Sequence, residues 1–165
     1  RRNAEKYNIN SDKIGIMGFS AGGHLAATLS THYNKNVYEV SDEVNAKPNF
    51  SILIYPVISM EEDITHKGSK KYLLGENPSK EFIENFSNEK QVTVETPNAF
   101  LIHATDDASV PVENSINYYL ALKNNNVPVE MHLFEKGGHG FGLGKSNTSK
   151  NWTLNLENWL KYLNK

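Results

Sequence analysis

The sequence predicts the α/β class, a parallel sheet flanked by helices. Three observations carry this: short apolar runs rich in β-branched and aromatic residues, amphipathic helical segments between them, and polar turns at each change from one to the other. A length of 165 residues fits a single domain over 1–165. Hydrophobic residues make up 38% and charged ones 22%, which is enough apolar surface for a packed core and far from the polar bias of a disordered chain.

Taken in order, residues 1–8 read as the tail of a helix and Asn8 to Asp12 as polar turn. Ile14 to Phe19 is a compact apolar run, expected as a buried strand. After the glycine-rich stretch from Gly18 to Gly23, the apolar positions Leu25, Ala26, Leu29 and Tyr33 have helical spacing. Phe50 to Tyr55 (FSILIY), closed by Pro56, reads as a parallel strand buried on both faces. Residues 57–97 are polar, with a helical patch near Ser79 to Phe86. Their length predicts an excursion over one face of the sheet that lines a substrate site.

Ala99 to His103 (AFLIH) is a third strand. Val112, Ile116, Tyr119 and Leu120 fall on one helical stripe, predicting a helix to Lys123 that packs on the sheet through those positions. Val129 to Phe134 (VEMHLF) is a fourth strand. Trp152, Leu156, Trp159, Leu160 and Leu163 form a closing amphipathic helix. Strands alternating with helices imply crossovers and hence a parallel sheet.

The net charge of -2, with Lys and Arg dispersed, gives no long-range attraction to nucleic acid or anionic lipid, so neither is expected as a partner. With no cysteine there is no disulfide, thiolate metal site or cysteine nucleophile, a composition compatible with the cytoplasm, which is the expected location. No apolar stretch reaches the ~18 residues a membrane span requires, and residues 1–13 lack a signal-peptide core. The chain starts at Arg1 without an initiator Met, so the natural amino terminus is expected upstream.

Gly18-Phe19-Ser20-Ala21-Gly22 matches GxSxG between a predicted strand and a predicted helix. In that setting the serine occupies a strained turn that lifts its hydroxyl above the carboxyl end of the sheet, and the flanking glycines are needed because side chains there would collide with the neighbouring strand and helix. The Ala21 N–H, at the positive end of the following helix, is placed to donate to an oxyanion. A serine hydroxyl needs a base to take its proton. Among six histidines, His139 lies in Gly137-Gly138-His139-Gly140 directly after the fourth strand, where glycines let a loop carry an imidazole to Ser20. His24, His32, His66 and His132 read as packed or solvated side chains, and His103 as a supporting residue at the end of the third strand. The base needs a carboxylate to fix its tautomer. Asp106 and Asp107 follow the third strand, as the order Ser, Asp, His requires; position does not separate the two, and at least one is expected to cap the next helix. No metal or organic cofactor is needed for this chemistry, and no ligand cluster stands out.

The blocks GFSAGGHLA, TPNAFLIHATDDASVPVENS and FEKGGHGFGL, with Tyr55-Pro56-Val57-Ile58 and Leu73-Leu74-Gly75-Glu76-Asn77-Pro78 between them, resemble the acetyl xylan esterase-like carbohydrate esterases of the α/β-hydrolase superfamily. The resemblance covers nearly the whole chain. It implies an α/β-hydrolase fold and a nucleophile at Ser20. The base falls on His139, and the acid on Asp107, three residues before the valine of Val110-Pro111. Related prolyl-oligopeptidase-like enzymes also have paired aspartates here and use the first, which leaves Asp106 as the alternative. The implied substrate is a small-molecule or oligosaccharide ester, with acetyl on xylan or its oligomers the family's own case. The alternatives are a prolyl-oligopeptidase-like serine peptidase and a truncated, non-catalytic association module.

One departure from the family is large. Its members have several strands before the nucleophile, among them a His-Gly-Gly loop supplying a second oxyanion donor, whereas only residues 1–13 precede the first strand here. The resemblance therefore implies the carboxyl-terminal part of a longer α/β-hydrolase domain, incomplete at its amino terminus. An unpaired edge on the strand from Ile14 would then invite homo-oligomers, and loss of one oxyanion donor would cost about a hundred- to a thousandfold in turnover.

Overall fold

The structure, a computed structural model, describes residues 1–35, 39, 44–144 and 151–163. Its strands are β1 (Ile16–Phe19), β2 (Phe50–Ile54), β3 (Asn98–Ala104) and β4 (Val129–Phe134). Its helices are α1 (Ala21–His32), α2 (Lys67–Leu74), α3 (Lys80–Phe86), α4 (Glu113–Asn124) and α5 (Trp152–Leu163). The four strands form one sheet in the order β1-β2-β3-β4, every pair parallel, with Gly18 opposite Leu53, Leu53 opposite Leu101 and Leu101 opposite Met131. The parallel sheet flanked by helices is the predicted class, and each predicted strand is present with ends shifted by a residue or two, although β1, expected to be buried, lies at the sheet edge with Met17 exposed.

Alternation along the strands divides the core in two. Leu53, Ala99 and Leu101 face Ala26 and Ala27 of α1 and Tyr118 and Leu122 of α4. Ile52, Ile54, Phe100 and Ile102 face the other way, onto Trp152 and Trp159 of α5. The indole of Trp159 sits on Phe50 and Phe100, ring centroids 5.9 and 5.4 Å away. Because His103 continues the alternation of Ala99 and Leu101, it points to the α4 side and is fully buried there.

Four local expectations are corrected. Residues 1–8 form successive turns, not a helix end. Asn8, at φ +51, reverses the chain, and Ile9 N–H returns to the Ala4 carbonyl. On α1 the buried side is His24, Ala26, Ala27 and Ser30, while Leu25 is 69% exposed. On α4 the packed positions are Asn114, Ser115, Tyr118 and Leu122, and Leu120 of the predicted stripe is exposed. The face is one residue, about 100°, out of phase with hydropathy because its first turn buries polar groups that bond within the protein.

The excursion over residues 57–97 also begins inside the molecule: Val57, Ile58 and Met60 are fully buried, and α2 is a helix the sequence did not signal. Asn114 of α4 fastens this segment. Its Oδ1 accepts from the N–H groups of Ile58 and Ser59, both at 2.9 Å, and its Nδ2 donates to the carbonyls of Ile64 and Pro111 at 2.7 and 3.0 Å. Among the described residues no helix is long and apolar enough to cross a membrane.

Candidate active site

Ser20 lies between the end of β1 and the start of α1, at φ +52 and ψ -121, a conformation that costs about 1–3 kcal/mol unless its surroundings impose it. They do. Its N–H donates to the Ile54 carbonyl at 3.0 Å, and its carbonyl accepts from Val57 at 3.0 Å and Gly23 at 2.9 Å. The steric reason for the surrounding glycines is narrower than expected. A Cβ at Gly18 would stand 2.1 Å from the Gly22 carbonyl oxygen, and one at Gly23 would stand 2.6 Å from Pro56 Cβ, whereas one at Gly22 would meet nothing. Gly18 and Gly23 permit the close approach of strand, helix and Pro56; Gly22 does not take part.

Three loops at the carboxyl ends of β1, β3 and β4 bring Ser20, Asp107 and His139 together. Ser20 Oγ is 2.8 Å from His139 Nε2, and His139 Nδ1 is 2.7 Å from Asp107 Oδ2. A carboxylate accepts only, so Nδ1 carries the proton and donates it to Asp107, which leaves the Nε2 lone pair facing the serine O–H. The Asp107 side chain is fully buried while that of His139 is 25% exposed, which keeps a path to the ring from solvent.

Asp107 Oδ1 accepts from the N–H groups of Ser109 and Val110, each at 2.9 Å. Behind it, His103 Nε2 lies 3.3 Å from Asp107 Oδ2 and 3.0 Å from the Val110 carbonyl, both acceptors, so Nε2 holds the His103 proton. Its Nδ1 then accepts from Ser115 Oγ at 2.8 Å. Burial pushes the Asp107 carboxyl up, but hydrogen bonds from His103, Val110, His139 and Ser109 outweigh it and hold the group well below the usual carboxylate range.

Asp106 is turned away from the imidazole. Its Oδ1 accepts from the N–H groups of Gly137 and Gly138, both at 2.8 Å, and these bonds, the Gly138 one first, hold its carboxyl below the ordinary value. Neither aspartate caps α4, whose N-cap Val112 makes no side-chain cap; this corrects the expectation that one would. Of the other histidines, His24 is buried with Nε2 2.8 Å from the Phe86 carbonyl, and burial lowers its pKa. His66 caps α2 through Nδ1, and His132 pairs with Glu130 at 2.7 Å.

Tyr55, which the sequence did not single out, closes the site from the end of β2. Its ring meets the His139 ring edge-on at 4.9 Å, and its hydroxyl accepts from Gly142 N–H at 3.1 Å. Its φ of +38, rare for an aromatic residue, is the structural sign of this role, and no sequence pattern encodes it. Ala21 stands at the first position of α1, where an N–H has no intrahelical acceptor. Beside it opens a cleft of about 490 Å³ between α1 and the 57–97 excursion, lined by Leu25, Met60, Tyr72, Leu73 and Phe86 among others.

The profile of the prolyl oligopeptidase family matches residues 2–165. The chain is 43% identical over 166 residues to an acetylxylan esterase of Xylanibacter ruminicola, covering 98% of this chain and 33% of that protein. It is 39% identical over 156 residues to endo-1,4-beta-xylanase B of Butyrivibrio fibrisolvens, covering 93% of this chain and 24% of that one. The crystal structure of an acetyl ester-xyloside bifunctional hydrolase from Caldicellulosiruptor lactoaceticus superposes with a TM-score of 0.93 at 42% identity, over 99% of this chain and 61% of that one. The chain thus spans from 24% to 61% of the lengths of these relatives.

Proposed function

The chain belongs to the prolyl oligopeptidase family, and we propose that it carries the reacting residues of a serine esterase that removes acetyl groups from a carbohydrate such as xylan or its oligomers. The observation that carries this reading is the His139 ring bridging a serine hydroxyl and a buried carboxylate at 2.8 and 2.7 Å. The names of the relatives supply the acyl group and the sugar.

In the proposed reaction Ser20 Oγ attacks the ester carbonyl carbon as its proton passes to His139 Nε2. The Ala21 N–H donates to the oxyanion of the tetrahedral intermediate. His139 then gives its proton to the departing sugar oxygen, leaving acetyl on Ser20. Water, deprotonated by the same nitrogen, attacks that acyl group, and the collapse returns the proton to Ser20 and releases acetate. Asp107 holds the Nδ1–H tautomer and stabilises the imidazolium in both halves.

Acetate release from acetylated xylo-oligosaccharides by the full-length protein, abolished in Ser20→Ala, is the expected result; no release from a folded protein would refute the proposal. A second reading, a serine peptidase, draws on the family to which the chain belongs. Comparison of p-nitrophenyl acetate with an aminoacyl anilide decides between them, and preference for the anilide would favour the peptidase. The outer edge of β1 has no partner strand among the described residues, which supports self-association of this chain in isolation. Light scattering across a dilution series should show its mass falling with concentration; a constant monomer mass would exclude it.

A further inference from the structure

Resting on the hydrolase reading above, we propose that Asp106 and Tyr55 are positioning residues that hold the His139 loop from its two ends, so that Nε2 is set against Ser20 before substrate arrives. The loop following β4 has little stiffness of its own. Gly138, Gly140, Gly142 and Gly144 all have positive φ, and a glycine-rich segment samples many conformations unless its backbone is tied.

Asp106 ties it just before His139, through two successive N–H groups on one carboxylate oxygen. Tyr55 ties it just after, through Gly142 N–H, and lays its ring against both His139 and Phe141 at 4.9 and 4.6 Å. Trp152 Nε1 adds a bond to the Gly142 carbonyl at 3.2 Å. Only His139, Gly140 and Phe141 lie between the anchored amides.

Adjacency gives the paired aspartates their purpose. One dipeptide supplies both the carboxylate that takes His139 Nδ1–H and the carboxylate that fixes the backbone carrying that ring. The relative placement of acid and base is therefore set by a single turn. A displacement of Nε2 by ~1 Å would stretch the 2.8 Å contact to Ser20 out of hydrogen-bond range and cost up to about a hundredfold in rate. Asp106 is exposed, so water can replace it at the two N–H groups; positional precision is lost while the fold is kept.

Kinetics on p-nitrophenyl acetate and amide hydrogen exchange, both on the full-length protein, test this. Asp106→Ala should lower kcat about tenfold with KM within about twofold and a melting temperature within ~2 °C. Asp106→Asn, whose amide oxygen can accept the same two bonds, should recover to within about threefold, and Tyr55→Phe should lose about threefold. Exchange across residues 135–142 should quicken in Asp106→Ala and not in Asp106→Asn. Unaltered kcat or unaltered exchange in Asp106→Ala, or an Asp106→Asn as slow as the alanine variant, would overturn the assignment. An unsubstituted protein with no turnover refutes the hydrolase reading instead, and the exchange result still decides whether the loop is held.

Discussion

Asp107 accepts on both of its oxygens: backbone N–H groups of the next turn reach one, and two imidazoles, His139 in front and His103 behind, reach the other. Its folded pKa is depressed, so by linkage its contribution to stability is fully present above the unfolded value of about 3.9 and is lost as the pH falls through the lower folded value. Asp107→Asn should therefore be less stable than the parent at pH 7, and the gap in melting temperature should start to narrow only below about pH 4 and still be open at about pH 2.5; a gap already closed at about pH 3.5 would contradict the depressed pKa. The same variant should lose about 10³–10⁴-fold in kcat, because an amide facing Nδ1 favours the wrong tautomer. Ser20 and His139 were legible from sequence because each stands among glycines at the end of an apolar run. Asp107 was not separable from Asp106, since both occupy one turn and only the direction of each side chain gives it its partner. Tyr55 left no signal, because an aromatic residue closing a strand reads as ordinary core.

At the scale of elements, the closeness of α1 to β1 and Pro56 fixes where Ser20 sits. Gly23→Ala should cost about 1–3 kcal/mol by driving a methyl into Pro56, whereas Gly22→Ala, in open helical space, should be neutral or stabilising by about 0.5–1 kcal/mol; chemical denaturation of the pair checks both, and equal effects would refute the packing argument. Asn114→Ala should cost about 2–4 kcal/mol, since it strands the buried N–H groups of Ile58 and Ser59, and should loosen the excursion that lines the cleft. A loss under about 0.5 kcal/mol would show that the staple contributes little. This residue also explains why the buried face of α4 departs from its apolar stripe. Hydropathy assigns buried polar side chains to solvent, and Asn114 and Ser115 are inward because their partners, the excursion backbone and His103, are remote in sequence.

For the molecule as a whole, the strand runs and their alternation with helices were enough to predict the parallel sheet, because the central strands β2 and β3, covered on both faces, are largely apolar and local sequence shows that directly. What local sequence does not show is convergence: Ser20 and Asp107 are 119 and 32 positions from His139 along the chain and meet it only because the parallel sheet delivers every strand's carboxyl end to one rim. That convergence is the claim on which the rest depends. Its most direct test is treatment of the folded protein with a fluorophosphonate, followed by mapping of the adduct by peptide mass spectrometry. The account predicts one covalent adduct, on Ser20, absent in Ser20→Ala and formed far more slowly in His139→Ala; an adduct on another residue, or labelling of Ser20 that is indifferent to His139, would contradict it.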